Sequence, residues 1–489
     1  MKTRTPLFVS VARGCTAFSV ISLSACTVGP DYHPPHTSAP AQWKDASLWH
    51  VGQPSHAALS LDWWQSFNDS SLNSLEIQGL NDNQTLAGVL THYEQARATL
   101  ATFSAQQVPE VDMGGNVERL KISRNRPLTS YGTENQSTVQ NQVAVGPTIS
   151  YDLDLFGRIR REVEGAKASA EQSGDDLANA RLALTTEIAT DYFALRELDA
   201  EIDVLNRSVA LQQQALEFVT AEHDLGSVSG LDLLQQKTQL DATRIQAQLL
   251  LQPRSSYENA LSTLVGTPAP GFSIAPKTVA MHAPDIPAGL PSDLLQRRPD
   301  VASAERAMAA ANAQIGVAQA AYFPSITLNP AIGYESTNFA SLLSAPSLMW
   351  SLGATFQQVL FDGGKRAANL KYANEGYQGA QANYRQTVLT AFQQAQDAVT
   401  GLRVLNQAAG QSHEAVEDAR RLLSLSTDRY AAGLATHLDL ITAQQSLLTA
   451  ERQDVQIQGQ QMQMSVSLVK ALGGGWSVAT RSQASSRPD

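Results

Sequence analysis

Two hydrophobic periods alternate along this chain. In one stretch Leu184, Ile188, Tyr192, Leu195, Leu198, Ile202, Leu205 and Val209 recur in steps of three and four, a single apolar seam along a helix. Residues 148 to 252 and 347 to 487 contain no proline and are dense in Ala, Leu, Gln, Glu and Arg, the strong helix formers. A helix from about Arg158 to Glu222 extends ~95 Å at ~1.5 Å per residue. That exceeds any globular core helix and predicts coiled-coil packing against neighbours of similar length.

The second period is two. Val139, Val143, Val145, Ile149, Tyr151, Leu153 and Leu155 alternate with Gln140, Gln142, Ala144, Gly146, Thr148, Ser150, Asp152 and Asp154. Further on, Ile326, Leu328, Ile332 and Tyr334 alternate with Thr327, Asn329, Gly333 and Glu335, and Leu348, Trp350, Leu352, Ala354 and Phe356 repeat the pattern. A fourth strand, Val111 to Ile122, loses phase near Arg119. Pro109 and Pro324 stop the helices before the strands, while Gly157 and Asp362-Gly363-Gly364 mark the turns from strand back into helix. Four such strands in an otherwise helical chain favour a membrane barrel, apolar outside and polar inside, with Gln140, Gln142, Thr148, Ser150 and Asp152 facing the lumen. Four strands cannot close a barrel. Two copies give eight, filled by side chains, whereas three give twelve and leave a lumen, so a conducting barrel predicts at least a trimer.

The two helical regions are copies of one another. "LGSVSGLDLL" (225 to 234) aligns with "AGLATHLDLI" (432 to 441), so that Gly226 meets Gly433, Leu231 meets Leu438 and Asp232 meets Asp439, each pair 207 residues apart. The seven prolines between 267 and 299 read as a connector. The chain therefore divides into a leader (1–25), an N-terminal segment (26–65), a first repeat (66–266), the connector (267–299), a second repeat (300–475) and a disordered tail (476–489). The fold class is mainly α with a β-barrel contribution.

The leader carries Lys2, Arg4 and Arg13, then an apolar stretch from Cys15 to Leu23, then Ser24 and Ala25. Cleavage after Ala25 leaves Cys26 first and alone, so an intramolecular disulfide is excluded. Leu-Ser-Ala-Cys resembles the bacterial lipobox, which implies a diacylglycerol and an N-acyl chain on Cys26. Two or more chains anchor stably, and "VGPDYHPP" follows as an extended leash. Thr27 stands where an aspartate would imply inner-membrane retention, which favours the outer membrane. Net charge is −11, or −14 without the leader's three cations, with no basic stripe for a nucleic acid. Beyond the leader no apolar run reaches 18 residues, so a membrane crossing must use strands.

The lipobox, "VGPDYHPP", "DWWQSFND", "YDLDLFGRIRREVEGAKA", "RRPDVASAERAMAAANAQIGVAQAAYFPSITL", "LFDGGKR" and "ALGGGW" together resemble the outer-membrane efflux lipoproteins of the TolC-like family. The resemblance covers essentially the whole mature chain. It implies a homotrimeric exit duct in the outer membrane of a Gram-negative bacterium, with a twelve-stranded barrel and a periplasmic helical barrel. An adaptor (a membrane fusion protein) would join it to an inner-membrane transporter of the resistance-nodulation-division class. It also implies that the duplicated turns are the periplasmic tips, closed at rest, where Leu231, Asp232, Leu438 and Asp439 would form apolar and acidic rings. Thr442 stands where related lipoproteins often carry a further aspartate. Asp232 and Asp439 also suit helix N-caps, and the two roles are compatible.

Catalytic chemistry has little support. His33 and His36 are separated by prolines in the leash and make a poor metal pair. "DGGKR" lacks phosphate-loop spacing, and neither a nucleophile elbow nor HExxH occurs. Trp63 and Trp64 suit packing of the N-terminal segment better than a ligand cage. The competing functions are a channel for type I protein secretion, a periplasmic adaptor, which a duplicated hairpin argues against, and a lipid-tethered coiled-coil scaffold without a pore.

Overall fold

The computed structural model describes residues 27–35, 60–121, 123–125, 139–279, 281, 283–284, 286 and 296–477. The leader, Cys26 and the tail from 478 lie outside the described residues. Seven long helices alternate with strands: α1 (Ser70–Asp82), α2 (Gln84–Ala105), β1 (Glu110–Lys121), β2 (Val139–Asp152), α3 (Arg158–Asp224), α4 (Gly230–Leu264), α5 (Pro299–Ala320), β3 (Ser325–Leu328), β4 (Ala331–Ser336), β5 (Leu348–Ser351), β6 (Ala354–Gln357), α6 (Lys365–Ala431) and α7 (His437–Ala471). The duplication is visible in the lengths, since α3 and α6 each hold 67 residues and α4 and α7 each hold 35. No described helix is long and apolar enough to cross a membrane.

The chain forms two compact units. The first comprises residues 94–171 and 305–382 together with the N-terminal segment up to Pro35, and it holds all the strands. β1 and β2 pair antiparallel over twelve residues from Glu110 opposite Ser150 to Lys121 opposite Val139. The loss of alternation near Arg119 is therefore a change of side chain and not a slip of register. The second pair of strands is interrupted: β3 and β4 share one register against β2 (Tyr151 opposite Leu328, Val145 opposite Tyr334), and β5 and β6 share one against them (Trp350 opposite Ile332, Phe356 opposite Ile326). The break falls at Asn329-Pro330. Ile149 donates to the Pro330 carbonyl, and Pro330 has no N–H to return the bond. The four expected strands are thus present, two of them broken without a shift.

The second unit comprises residues 36–93, 172–304 and 383–489. Its core takes Leu184, Ile188, Tyr192, Leu195 from the α3 seam, with Leu72 and Leu75 of α1, Leu261, Val388, Met462 and Leu468. Trp63 and Trp64 are buried in this core, edge-on to each other with centroids 6.0 Å apart. Asp69 caps α1 and also accepts the Tyr192 hydroxyl at 2.8 Å.

The start of the connector is fastened to the helices. Asp199, buried, accepts from Arg196 at 2.8 Å and Arg254 at 2.6 Å. Arg254 in turn donates to the Ile274 carbonyl at 2.7 Å, and Lys277 N donates to Asp199 at 3.2 Å. α4 continues through Pro253, losing one backbone bond.

Candidate channel wall and hairpin tips

The register assigns every strand side chain to a face. On one face lie Val111, Met113, Val117, Val139, Val143, Val145, Ile149, Tyr334, Ile332, Leu348, Trp350 and Phe356. Many of these large apolar residues are exposed: Met113 by 73%, Trp350 by 74% and Phe356 by 66%. An apolar sheet face open to its surroundings has no place in water and suits hydrocarbon. On the opposite face Gln140, Gln142, Thr148 and Ser150 stand across from Leu120, Glu118, Asp112 and Glu110. Asp152 is on that face too, accepting from Thr327 Oγ1 at 2.5 Å and from Arg158 at 3.3 Å. The outer edges of β1 and of β5 and β6 have no strand beside them among the described residues. Unpaired strand edges are untenable in a bilayer.

The two strand-to-helix turns are built alike. Asp362 accepts from Gly364 N at 3.0 Å and from Arg366 N and Nε at 3.1 and 2.7 Å, while Gly363 and Gly364 take φ of +66° and +94°. In the first repeat Asp154 does this work for Ile159 N and Arg160 N, with Gly157 at φ +82°. Sequence reasoning singled out the glycines and Asp362 and missed Asp154, whose partner Arg160 lies at i+6, outside any standard capping spacing.

The helix ends at the hairpin tips match bond for bond. Gly226 N donates to His223 O and Ser227 N to Glu222 O; 207 residues later Gly433 N donates to Tyr430 O and Leu434 N to Arg429 O. Gly226 and Gly433 adopt φ of +74° and +70°, the left-handed closure that favours glycine. Each following helix starts with a capping box: Ser229 Oγ with Asp232, and Thr436 Oγ1 with Asp439, at 2.7 Å in both. These bonds hold both carboxylates below the usual aspartate range, the hydroxyl contact being the largest cause. Leu231 and Leu438, beside them, are 65% and 57% exposed. Thr442 turns its hydroxyl back to the Leu438 carbonyl at 2.8 Å and lines a groove of about 630 Å³ with Gln239, Gln411, Gln445 and Gln453.

Three tip residues were not foreseen. Tyr430 donates to Glu222 Oε2 at 2.8 Å, across from one hairpin to the other. His437 is buried against the Tyr430 ring at 5.7 Å, and burial lowers its pKa. The duplication could have drawn attention to them, since Tyr430 occupies the place of His223 and breaks the match between the repeats.

The family model described as outer membrane efflux protein matches residues 78–267 and 290–474. The solvent efflux pump outer membrane protein SrpC of Pseudomonas putida is 30% identical over 465 residues, covering 94% of this chain and 98% of that protein. The pyoverdine export outer membrane protein OpmQ of Pseudomonas aeruginosa is 29% identical over 455 residues, covering 93% and 95%. Among solved structures, the outer-membrane channel OprN superposes with a TM-score of 0.84 at 28% identity over 92% of this chain and 100% of that one. The open state of the Neisseria gonorrhoeae channel MtrE gives 0.79 at 26% identity over 92% and 98%.

Proposed function

The chain belongs to the outer membrane efflux protein family, and from that premise we propose that three copies close one duct through which an inner-membrane transporter expels small molecules. It is the outer-membrane channel of an efflux pump, reaching into the periplasm, and it is not an enzyme. An adaptor and an inner-membrane transporter act with it. We assign that transporter to the resistance-nodulation-division class on the strength of the sequence motifs.

The observation that carries the trimer is the sheet: four strands, two open edges and one exposed apolar face. Joining β1 of one copy to β5 and β6 of the next removes every edge, and three copies yield the twelve strands that leave a lumen. The lumen wall is then the polar face, including Gln140, Gln142, Thr148, Ser150 and Asp152. At the tips, three copies bring Leu231, Asp232, Leu438 and Asp439 together as rings that hold the duct closed and attract cations.

The anchor is Cys26, carrying diacylglycerol and an N-acyl chain. What supports it, beyond the lipobox, is the position of Thr27, which packs on Gly157 at the strand-to-helix turn, where a barrel would leave the membrane. Export of small molecules is favoured over protein secretion by the relatives, which are named for solvent efflux and pyoverdine export.

Asp112→Cys on β1 and Thr355→Cys on β6, placed in one chain, test the closure. Oxidation should yield covalent species up to three protomers and no further, and neither cysteine alone should yield any. Open-ended ladders or unlinked monomers contradict it.

A further inference from the structure

The segment after Cys26 is not a loose tether. Arg161, on the first turn of α3, is 3% exposed, and its guanidinium is occupied almost entirely by that segment. Nε donates to the Val28 carbonyl at 3.3 Å, and Nη2 donates to the Gly29 carbonyl at 3.2 Å and to Asp31 Oδ1 at 2.9 Å. Nη1 goes to Glu164 of its own helix at 2.7 Å. A planar fork that takes two successive backbone carbonyls and a carboxylate reads the course of an extended chain, which a lysine has no geometry to do.

Other contacts continue the track. Val28 N donates to the Phe156 carbonyl at 3.1 Å, Asn312 Nδ2 to the Pro30 carbonyl at 2.9 Å, and Tyr32 hydroxyl to Glu305 Oε1 at 2.5 Å. The Arg306 guanidinium lies over the Tyr32 ring at 5.8 Å. Three glycines make room for this docking. A Cβ on Gly157 would run into Thr27. A Cβ on Gly29, whose φ is +105°, would lie 2.5 Å from Gly316 Cα. A Cβ on Gly316 would meet the Arg161 side chain at 2.8 Å. Arg161 is thus seated on Gly316, and the segment is seated on both.

We propose that Arg161 is the receptor for the segment following the acylated cysteine and so fixes the point on the duct where the acyl chains enter the membrane. This rests on the anchor assignment for Cys26 made above. Cys26 is bonded directly to Thr27, and Thr27 is held at Gly157. The chains therefore leave at the turn between β2 and α3, next to the stacked rings of Phe156 and Phe323, 4.7 Å apart. An anchor docked in this way holds its lipid against the wall of the same protomer, whereas a loose leash would let it wander around the barrel. The segment also spans both repeats, because its partners come from α3 of the first and α5 of the second. Arg161 is a positioning residue: it acts on the lipid through the chain it holds.

The test uses the full-length mature protein with His33→Cys, an exposed position with no role in the contacts above, carrying a nitroxide label. The number of reactive thiols is counted first. One thiol means that Cys26 is acylated, while two would mean that the anchor assignment has failed, independently of the docking. With one thiol, the label should give a predominantly immobilised spectrum, and Arg161→Met should convert most of it to the mobile form. Gly29→Val, which leaves Arg161 intact, should do the same and covers the case in which Arg161→Met does not fold. Arg161→Lys should not restore the immobilised spectrum. A label already mobile in the parent protein, or one that stays immobilised in both Arg161→Met and Gly29→Val, overturns the proposal.

Discussion

Tyr430 donates its hydroxyl to Glu222 at 2.8 Å, so that the second hairpin of the protomer is bonded to the first beside their tips. Burial, then Glu222, push the tyrosine pKa up to about 12, which keeps the donor protonated throughout the range in which the channel works. A hydrogen bond to a charged acceptor contributes about 1.5–3 kcal/mol when well shielded, and about 1 kcal/mol is reasonable for this half-buried pair. If this bond holds the tips together, Tyr430→Phe should raise the time-averaged conductance of the resting channel in planar bilayers by about five-fold. Unchanged conductance would mean that the closure resides elsewhere.

Asp439 has two candidate roles that a single substitution separates. As a cap it needs an acceptor for the Thr436 N–H and hydroxyl; as a ring member it needs charge. Asp439→Asn keeps an acceptor and removes the charge. The expected outcome is intact heat-resistant trimers with weakened block by multivalent cations. Because its carboxylate is held below the ordinary aspartate range, the native block should persist into mildly acidic solution and fade only well below it. Equal block in the variant would leave Asp439 as a cap alone.

Glu76 is an expense in the second unit. Its side chain is fully buried, neither carboxyl oxygen has a hydrogen-bond partner, and desolvation pushes its pKa from 4.5 to about 9. The folded state therefore retains a proton that the unfolded chain gives up above about pH 4.5. Stability from this group is complete below that pH and is lost as pH rises towards about 9, with a deficit of about 3 kcal/mol at pH 7. Glu76→Gln should melt higher than the native protein at pH 8 and close to it at pH 5. Parallel melting curves at both pH values would contradict this.

Gly473 ends α7 at φ +88°, and a Cβ there would overlap the backbone carbonyl of Arg297. The neighbouring Arg298 donates to the Ala471 carbonyl at 3.1 Å and grips Asp300 and Gln394, so this helix end is the seat on which α5 begins. Gly473→Ala combines backbone strain with a clash and should cost about 3 kcal/mol or more. The readout is loss of the heat-resistant oligomer on gels. Gly363→Ala, at positive φ but with open space around its Cβ, should cost about 1 kcal/mol and keep it.

Much of this architecture was legible in the sequence because it is periodic. The seam through Leu184, Ile188, Tyr192 and Leu195, the alternation along β2, and the match of Gly226 with Gly433 all express backbone geometry that repeats at fixed spacing. Asp232 and Asp439 read as N-caps, but the caps are Ser229 and Thr436, and each aspartate stands three residues further on as the answering member of a capping box. The interruption at Pro330 was not, since the pattern of even-numbered apolar residues runs through it and only the missing N–H breaks the ladder. Arg161, Asp199, Arg254 and Tyr430 escaped because their partners lie far away in the chain, and one sequence carries no sign of a contact between Arg161 and Gly29 or between Tyr430 and Glu222. Residues 28–35 read as a leash from their prolines, yet residues 28–32 are docked, because carbonyls and a glycine leave no hydrophobic trace.

Whether the strands form a pore is decided most directly by the single-channel conductance of the purified mature protein in planar bilayers, with its mass in detergent measured on the same sample. Steady, small pores from a species three times the protomer mass, stepping up in Tyr430→Phe, are expected of a trimeric duct closed at its tips. A monomer that never conducts, even with Tyr430→Phe and Leu438→Ala combined to loosen the tip, would contradict the duct and leave a tethered helical scaffold.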